Sequence, residues 1–200
     1  MPKVFNNGIL ILILLNCFVY FTRCSSSQII EVKSAGMNGG FEYIENGLPV
    51  NWYFDNLKDA VNKEKDAVND VDIISDSIDF KEGKRSLKFI VKKCSPKGFT
   101  FSPGIFKEFE ADAGADYKVS FWVKNNGTSF RISISAITVE GGSKEPNEVK
   151  IISSKDAISE WKEYVVERHI PKDLDRLRFG LEIIEPGTFQ IDDIRIEKVK

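Results

Sequence analysis

Apolar and polar residues alternate along short segments of the chain from Gln28 onward, and this period of two predicts β-strands. The clearest segments are 86–92, 118–124, 130–135, 163–170 and 177–183. In each segment one set of alternate positions is mostly apolar, whereas the other set is mostly polar or charged. A strand of this kind must bury one face, and two sheets packed against each other bury all of these faces. The pattern therefore predicts an all-β fold, a two-sheet antiparallel β-sandwich.

Turn-forming residues separate these segments, at 125–127, 141–143, 171 and 185–187. Their spacing is typical of a single sandwich domain, and no second domain is predicted. One stretch, 57–69, differs because its apolar residues recur at helical spacing among lysines and aspartates. That stretch fits either a short surface helix or a charged loop.

The first 24 residues have the organisation of an export signal. Lys3 precedes an uncharged, mostly apolar run over 8–21, and a serine cluster follows at 25–27. The run is shorter than the roughly 20 residues that a transmembrane helix needs. We therefore predict a signal segment over 1–24, a polar tether over 25–36 and one folded domain over 37–200.

Composition excludes several functions. Lys and Arg number 28 against 30 Asp and Glu, so the chain has no basic surplus for phosphates and we predict no nucleic-acid partner. The three cysteines lack the paired spacing of a zinc site, and His169 is the single histidine. The motifs of serine hydrolases, zinc proteases and phosphate-binding loops are missing from the sequence. A carboxylate pair that cleaves a glycosidic bond stays open as a less favoured alternative, because no pair stands out among so many acids.

Several motifs follow one another in an order found in a known family. They are 38–42 (Asn-Gly-Gly-Phe-Glu) with Gly47, Pro49 and Trp52, then 83–89, 117–124, 161–164 and 187–194. In this order they resemble the carbohydrate-binding modules with a jelly-roll, galactose-binding-like sandwich, especially the group found beside xylanases and glucanases. The resemblance covers about 37–199. It implies a jelly-roll fold and non-catalytic binding of a polysaccharide or oligosaccharide.

The residues around Cys24 resemble the processing site of bacterial lipoproteins, in which a cysteine after the apolar run is lipidated. A polar tether follows Cys24, although Thr22 and Arg23 stand where small residues are usual. This resemblance implies a membrane contact through a lipid anchor, and a cell-surface or outer-membrane location. A secreted protein that discards its signal segment is the alternative.

Modules of this family commonly hold a structural calcium ion between their first and last strands. The resemblance implies Glu42 and Asp192 as its carboxylate ligands, with Asp193 as a substitute for Asp192. Calcium needs six to eight oxygen ligands, which paired acids and turn carbonyls can supply. Two solvated acids beside a turn are the alternative.

Strict alternation fails next to these acids. Ile191 predicts an inward-facing residue 193, whereas Ile194 predicts an outward-facing one. A β-bulge at Asp192 and Asp193 resolves the conflict and would aim one carboxylate at a site.

Sugar binding usually depends on an exposed aromatic ring surrounded by polar side chains. Trp122 is predicted to be that ring, because it lies on the polar side of its strand. Cover by a loop or a neighbouring strand is the alternative. Further candidates that face away from the core are Arg131, Arg178 and Glu182, which could share the sheet face of Trp122, and Tyr53, which could reach a loop-end site.

An adhesion or protein-interaction module with the same sandwich is the competing function. A groove with aromatic residues across one sheet face favours a glycan, whereas a flat apolar patch favours a protein. Trp52 and Trp161 match positions where the family's tryptophans pack the sandwich, so we predict structural roles for both. We expect a monomer without catalytic activity.

Overall fold

The computed structural model describes residues 32–55, 69–94, 102–138 and 149–199. The predicted signal segment with Cys24, the tether up to residue 31, and residues 57–68 lie outside this part of the chain.

The described residues form twelve strands and one short 3-10 helix, Lys33–Ala35. The strands are β1 (Ile44–Glu45), β2 (Leu48–Pro49), β3 (Tyr53–Asp55), β4 (Asp70–Asp76), β5 (Ser86–Lys93), β6 (Gly104–Glu110), β7 (Asp116–Asn126), β8 (Phe130–Ile137), β9 (Val149–Ser154), β10 (Ile158–His169), β11 (Arg176–Ile183) and β12 (Gly187–Lys198).

Ten of these strands form two five-stranded sheets. Sheet 1 has the order β10-β7-β12-β5-β4, and sheet 2 has the order β3-β6-β11-β8-β9. Every neighbouring pair is antiparallel. Strands β1 and β2 form a separate small hairpin. The predicted two-sheet antiparallel sandwich is confirmed.

The core lies between the two sheets and consists of the inward positions that the alternation predicts. In β7, Val119, Phe121 and Val123 are fully buried, and in β11 the inward residues Leu177 and Phe179 are fully buried. Burial of side chains of this size stabilises the fold by roughly 1.5–3 kcal/mol each.

Trp52 belongs to this core, as predicted. It is 1% exposed and its ring contacts Phe41, Phe109 and Phe179. Its indole N–H donates to the carbonyl oxygen of Asn38 at 3.0 Å, so the one polar atom of the side chain is satisfied.

The side chain of Asn51 ties residues 32–36 to the domain. Its Oδ1 accepts from the backbone N–H of Val32 at 2.8 Å, and its Nδ2 donates to the carbonyl oxygens of Val32 and Gly36 at 3.0 and 2.9 Å. The folded part of the chain therefore includes residues 32–36, which the sequence analysis placed in the tether.

The predicted bulge in β12 is confirmed. The register between β12 and β7 shifts between Asp192 and Arg195, and Asp193 has a positive φ of 50°. Ile191 and Ile194 both face the core as a result, at 0% and 1% exposure. Asp192 is left on the outward side of sheet 1.

Within the described ranges, no helix has the length and apolar character needed to span a bilayer.

Candidate functional site

Four of the five predicted glycan-binding residues lie together on the outward face of sheet 2. Tyr53 lies in β3, Arg131 in β8, and Arg178 and Glu182 in β11. The strand register places Glu182 opposite Arg131, and their side chains form an ion pair with a distance of 3.7 Å from Arg131 Nε to Glu182 Oε2.

Trp122 lies on the other side of the molecule. It belongs to β7 in sheet 1 and faces outward, as its alternation predicts, so the grouping with Arg131, Arg178 and Glu182 is wrong. Alternation shows whether a side chain points inward or outward, but it does not show which sheet the strand joins. Lys81, from the connection between β4 and β5, places its ammonium nitrogen 4.0 Å from the centre of the Trp122 ring and partly covers it.

An exposed aromatic pair lies on the sheet 2 face. Tyr53 in β3 and Phe106 in β6 are directly opposite in the register. Their rings stack with centroids 4.8 Å apart and planes 9° apart, and Tyr53 is 38% exposed. The guanidinium carbon of Arg178 lies 5.3 Å from the centre of the Phe106 ring, within the range of cation–π attraction.

Glu108 connects two arginines beside this aromatic pair. Its Oε1 accepts from the Nε of Arg178 at 2.9 Å and also from the Nη2 of Arg178. Its Oε2 lies 3.9 Å from the Nη1 of Arg176. Because one carboxylate is shared, the two guanidinium groups are held next to each other at the surface.

These residues surround a cavity of about 420 Å³. Its lining consists of Asn51, Tyr53, Phe106, Lys107, Glu108, Arg176 and Arg178. Arg131 and Glu182 lie on the same sheet face but do not line the cavity. A flat ring next to several fixed hydrogen-bonding groups is the combination that stacks on a sugar and binds its hydroxyls.

Five lining residues were not predicted: Asn51, Phe106, Lys107, Glu108 and Arg176. Strand β6 is hard to recognise because Lys107 takes an inward position between Ile105 and Phe109, while apolar Phe106 faces outward. Arg176 could have been found, since it is two residues before Arg178 and therefore on the same face of β11.

A second and larger cavity, of about 590 Å³, lies on the outward face of sheet 1. Asp79 lines it and accepts from Lys124 Nζ at 2.9 and 3.0 Å and from the indole N–H of Trp161 at 3.0 Å. Trp161 is thus on the outward side of the sheet, and the prediction that it packs in the sandwich is wrong. The two lysines of this cavity are each paired with an aspartate, Lys124 with Asp79 and Lys88 with Asp76.

The predicted calcium ligands Glu42 and Asp192 hold one turn from two sides. Asp192 Oδ2 accepts from the backbone N–H of Lys81 at 2.7 Å and of Glu82 at 3.1 Å. Glu42 Oε1 accepts from the backbone N–H of Lys84 at 2.7 Å and of Arg85 at 3.1 Å.

Asp192 is 0% exposed, and burial raises the pKa of its carboxyl to about 6, against the lowering effect of three backbone hydrogen bonds.

The carboxylates of Glu42 and Asp192, which hold one turn, would supply some of the oxygen ligands that a calcium ion needs. Asp193 fits less well, because its Oδ1 accepts from Arg195 Nε at 2.8 Å. The part of the chain that is described contains no group of three or more acidic, histidine or cysteine side chains placed to hold a metal ion together. Backbone carbonyls would have to supply most of the six to eight oxygen ligands, so the calcium ion stays a prediction.

No model of a protein family matches the chain. Endo-1,4-beta-xylanase Y of Acetivibrio thermocellus is 31% identical over 103 residues, which cover 48% of this chain and 9% of the xylanase. The chain thus spans less than a tenth of that relative's length.

Solved structures give a broader match. A family 4 carbohydrate-binding module has a TM-score of 0.57 with 13% identity, and the match covers 80% of this chain and 97% of the module. The chain has the fold of jelly-roll carbohydrate-binding modules. A family 61 module solved with β-1,4-galactotriose has a TM-score of 0.51 with 21% identity, covering 80% of this chain and 95% of the module. The enzymatically active domain of tailspike protein 4 from bacteriophage CBA120 has a TM-score of 0.56 with 15% identity. This match covers 81% of this chain and 21% of the tailspike chain.

Proposed function

We propose that the protein binds a glycan, without catalysis, at the outward face of sheet 2. The observation that supports this proposal is the exposed Tyr53 ring, stacked on Phe106, at the edge of a cavity with fixed charged groups. Sugar rings have an apolar face that stacks on aromatic rings and hydroxyls that hydrogen-bond to polar side chains.

The roles of the side chains follow from their contacts. The Tyr53 ring would stack on one sugar ring. Arg178 and Arg176 would donate to sugar oxygens, and Glu108 would accept from a hydroxyl. Because Glu108 already fixes Arg178, this side chain loses little conformational freedom when a ligand binds.

The comparisons support a glycan at the level of the fold. The family 61 module was solved with a galactose trisaccharide, and the curated relative is named as a xylanase. A shared sandwich does not determine the ligand, so the choice of polysaccharide rests on the residues of this chain.

Protein binding is the competing function. Exposed apolar side chains occur on the β4–β5 connection, where Ile78 is 92% exposed and Phe80 is 38% exposed. These two residues line neither of the two cavities described above. The aromatic pair next to a cavity favours the glycan.

We also propose that the protein is exported and attached to a membrane by lipid at Cys24. This proposal is supported by the sequence pattern of residues 1–28, which lies outside the described structure.

The binding proposal can be tested with the full chain on an array of plant and microbial polysaccharides. Wild-type protein should bind at least one glycan, and Tyr53→Ala should lower the affinity by about 2 kcal/mol, roughly thirtyfold. Tyr43→Ala is the matched control, because Tyr43 is also exposed but does not line the cavity. Equal loss in both variants, or no binding by the wild type, would contradict the proposal.

A further inference from the structure

The cavity on sheet 2 has more positive than negative side chains. Two arginines, Arg176 and Arg178, face it together with a single carboxylate, Glu108, whereas Lys107 lines it from the inward side of β6. The cavity on sheet 1 provides a comparison within the same molecule, since Lys88 and Lys124 there each form an ion pair with an aspartate.

Of the two arginines at this site, Arg176 has the weaker contact with an anion. Its ion contact with Glu108 is long, at 3.9 Å, whereas Glu108 is hydrogen-bonded to Arg178. The buried Nε of Arg176 has no hydrogen-bond acceptor among the described residues. Glu110 is opposite Arg176 in the register, but within the described residues Arg176 forms its ion contact with Glu108 and none with Glu110.

A guanidinium group whose positive charge has only a long contact with a carboxylate favours an anionic ligand. Arginine presents N–H donors in a planar fork that matches the two oxygens of a carboxylate. A hydrogen bond to a charged group contributes more binding free energy than one between neutral groups. A ligand carboxylate at Arg176 would also balance the charge excess of the cavity.

We infer that the glycan bound at this face carries carboxylate groups, as uronic acid residues do. This inference depends on the proposed function, because it specifies the ligand of the same site. The aromatic pair takes a sugar ring and Arg176 takes the carboxylate of that ring or of a neighbouring one.

The experiment compares each acidic polysaccharide with its own neutral form. The full chain is titrated with a uronic acid polymer and with the same polymer after chemical reduction of its carboxyl groups to alcohols. Wild-type protein should bind the acidic form about tenfold more tightly or better, and this preference should decrease with added salt.

Two variants test whether Arg176 causes the preference for the acidic polymer. In Arg176→Gln the ratio of the two affinities should fall to within about threefold, because the guanidinium group is gone. Arg195→Gln is the matched control, since Arg195 pairs with Asp193 on sheet 1 and does not line the cavity, and it should retain the wild-type ratio. Thermal unfolding of each variant checks that the fold is intact.

The experiment distinguishes failure of the carboxylate inference from failure of the proposed glycan binding. Equal affinity of the wild type for the acidic and the reduced polymer overturns the inference and leaves glycan binding intact. A stronger response to a sulfated polymer than to any uronic acid polymer overturns the carboxylate assignment. A wild type that binds no glycan of any kind overturns the proposed function, and the inference with it.

Discussion

Tyr53 and Phe106 are paired in the β3–β6 register, and their rings lie nearly parallel with centroids 4.8 Å apart. The backbone and the ring contact therefore fix the same orientation. A ring held in this way is available to a ligand without first losing rotational freedom. This explains why an edge strand of three residues can present the main candidate binding group.

The first prediction concerns Phe106. Phe106→Leu keeps an apolar side chain but removes the flat ring under Tyr53, so glycan affinity should fall by about tenfold with a small change in stability. Tyr53→Phe should retain most of the affinity, because the stacked ring remains. Isothermal titration measures both variants. Equal affinities for Phe106→Leu and wild type would show that the stacking is not needed.

The second prediction separates the two faces of the sandwich. Trp122→Ala should leave glycan affinity unchanged, because Trp122 lies on the outward side of sheet 1. It should lower stability by about 1–2 kcal/mol through lost contact with Lys81 and the strand surface, which shifts the unfolding midpoint by about 2–8 °C. Affinity and midpoint are measured on the same sample. If Trp122→Ala lost affinity without losing stability, the binding site would lie on sheet 1 instead.

The third prediction is an acid sensitivity that depends on Asp76. Burial alone would raise the pKa of its carboxyl, but hydrogen bonds from the N–H groups of Ile78 and Asp79 and from Lys88 together lower it. A lowered pKa in the folded state means that the stabilisation is present above the unfolded pKa, near 3.8, and is lost as the pH falls through the folded pKa.

Urea unfolding measured from pH 6 down to pH 2 checks this dependence. Wild-type protein should lose stability over the acid range, and Asp76→Asn should lose less over that range because it carries no titrating charge at this position. Parallel curves for the two proteins would show that Asp76 does not contribute.

The fourth prediction tests calcium. If Glu42 and Asp192 hold an ion, calcium at about 100 times its dissociation constant stabilises the fold by roughly 2.7 kcal/mol. Chelation should then lower the unfolding midpoint by about 5–11 °C. Glu42→Gln should show no response to calcium. If the unfolding midpoints of the wild type in calcium and in chelator agree within about one degree, the protein has no stabilising calcium site.

The fifth prediction concerns membrane attachment. Cells expressing the full chain should incorporate labelled fatty acid into the protein, and Cys24→Ser should abolish the label and release the protein from the membrane fraction. Cys17→Ser is the control, because Cys17 is the other cysteine of the predicted signal segment, and it should leave the label unchanged. Labelling that persists in Cys24→Ser would exclude lipidation at this cysteine.

Much of the fold could be predicted because alternation has a direct physical cause. Phe121 and Trp122 are neighbours in β7, and their side chains lie on opposite faces of the sheet because of the pleat of the strand, with Phe121 fully buried and Trp122 half-buried. The bulge at Asp193 was also predictable, since apolar residues on both sides of it must face one core.

The binding face was harder to predict because its residues come from strands that are distant in sequence. Alternation could not place Trp122 and Arg178 on different sheets, since that depends on strand order. In β6 the pattern was misleading, because Lys107 is 8% exposed on the inward side and donates to the carbonyl oxygen of Asn51 at 2.9 Å. Its neighbour Phe106 faces outward, so the strand has no clean apolar side.

The position of Asn51 has a mechanical consequence. Tension applied at Val32 passes to the Asn51 amide, which holds Val32 and Gly36 by three hydrogen bonds. The same residue lines the sheet 2 cavity, and its carbonyl oxygen accepts from Lys107. Force applied at Val32 and a ligand in the cavity therefore act on the same residue, so that pulling on Val32 is coupled to the geometry of the binding face.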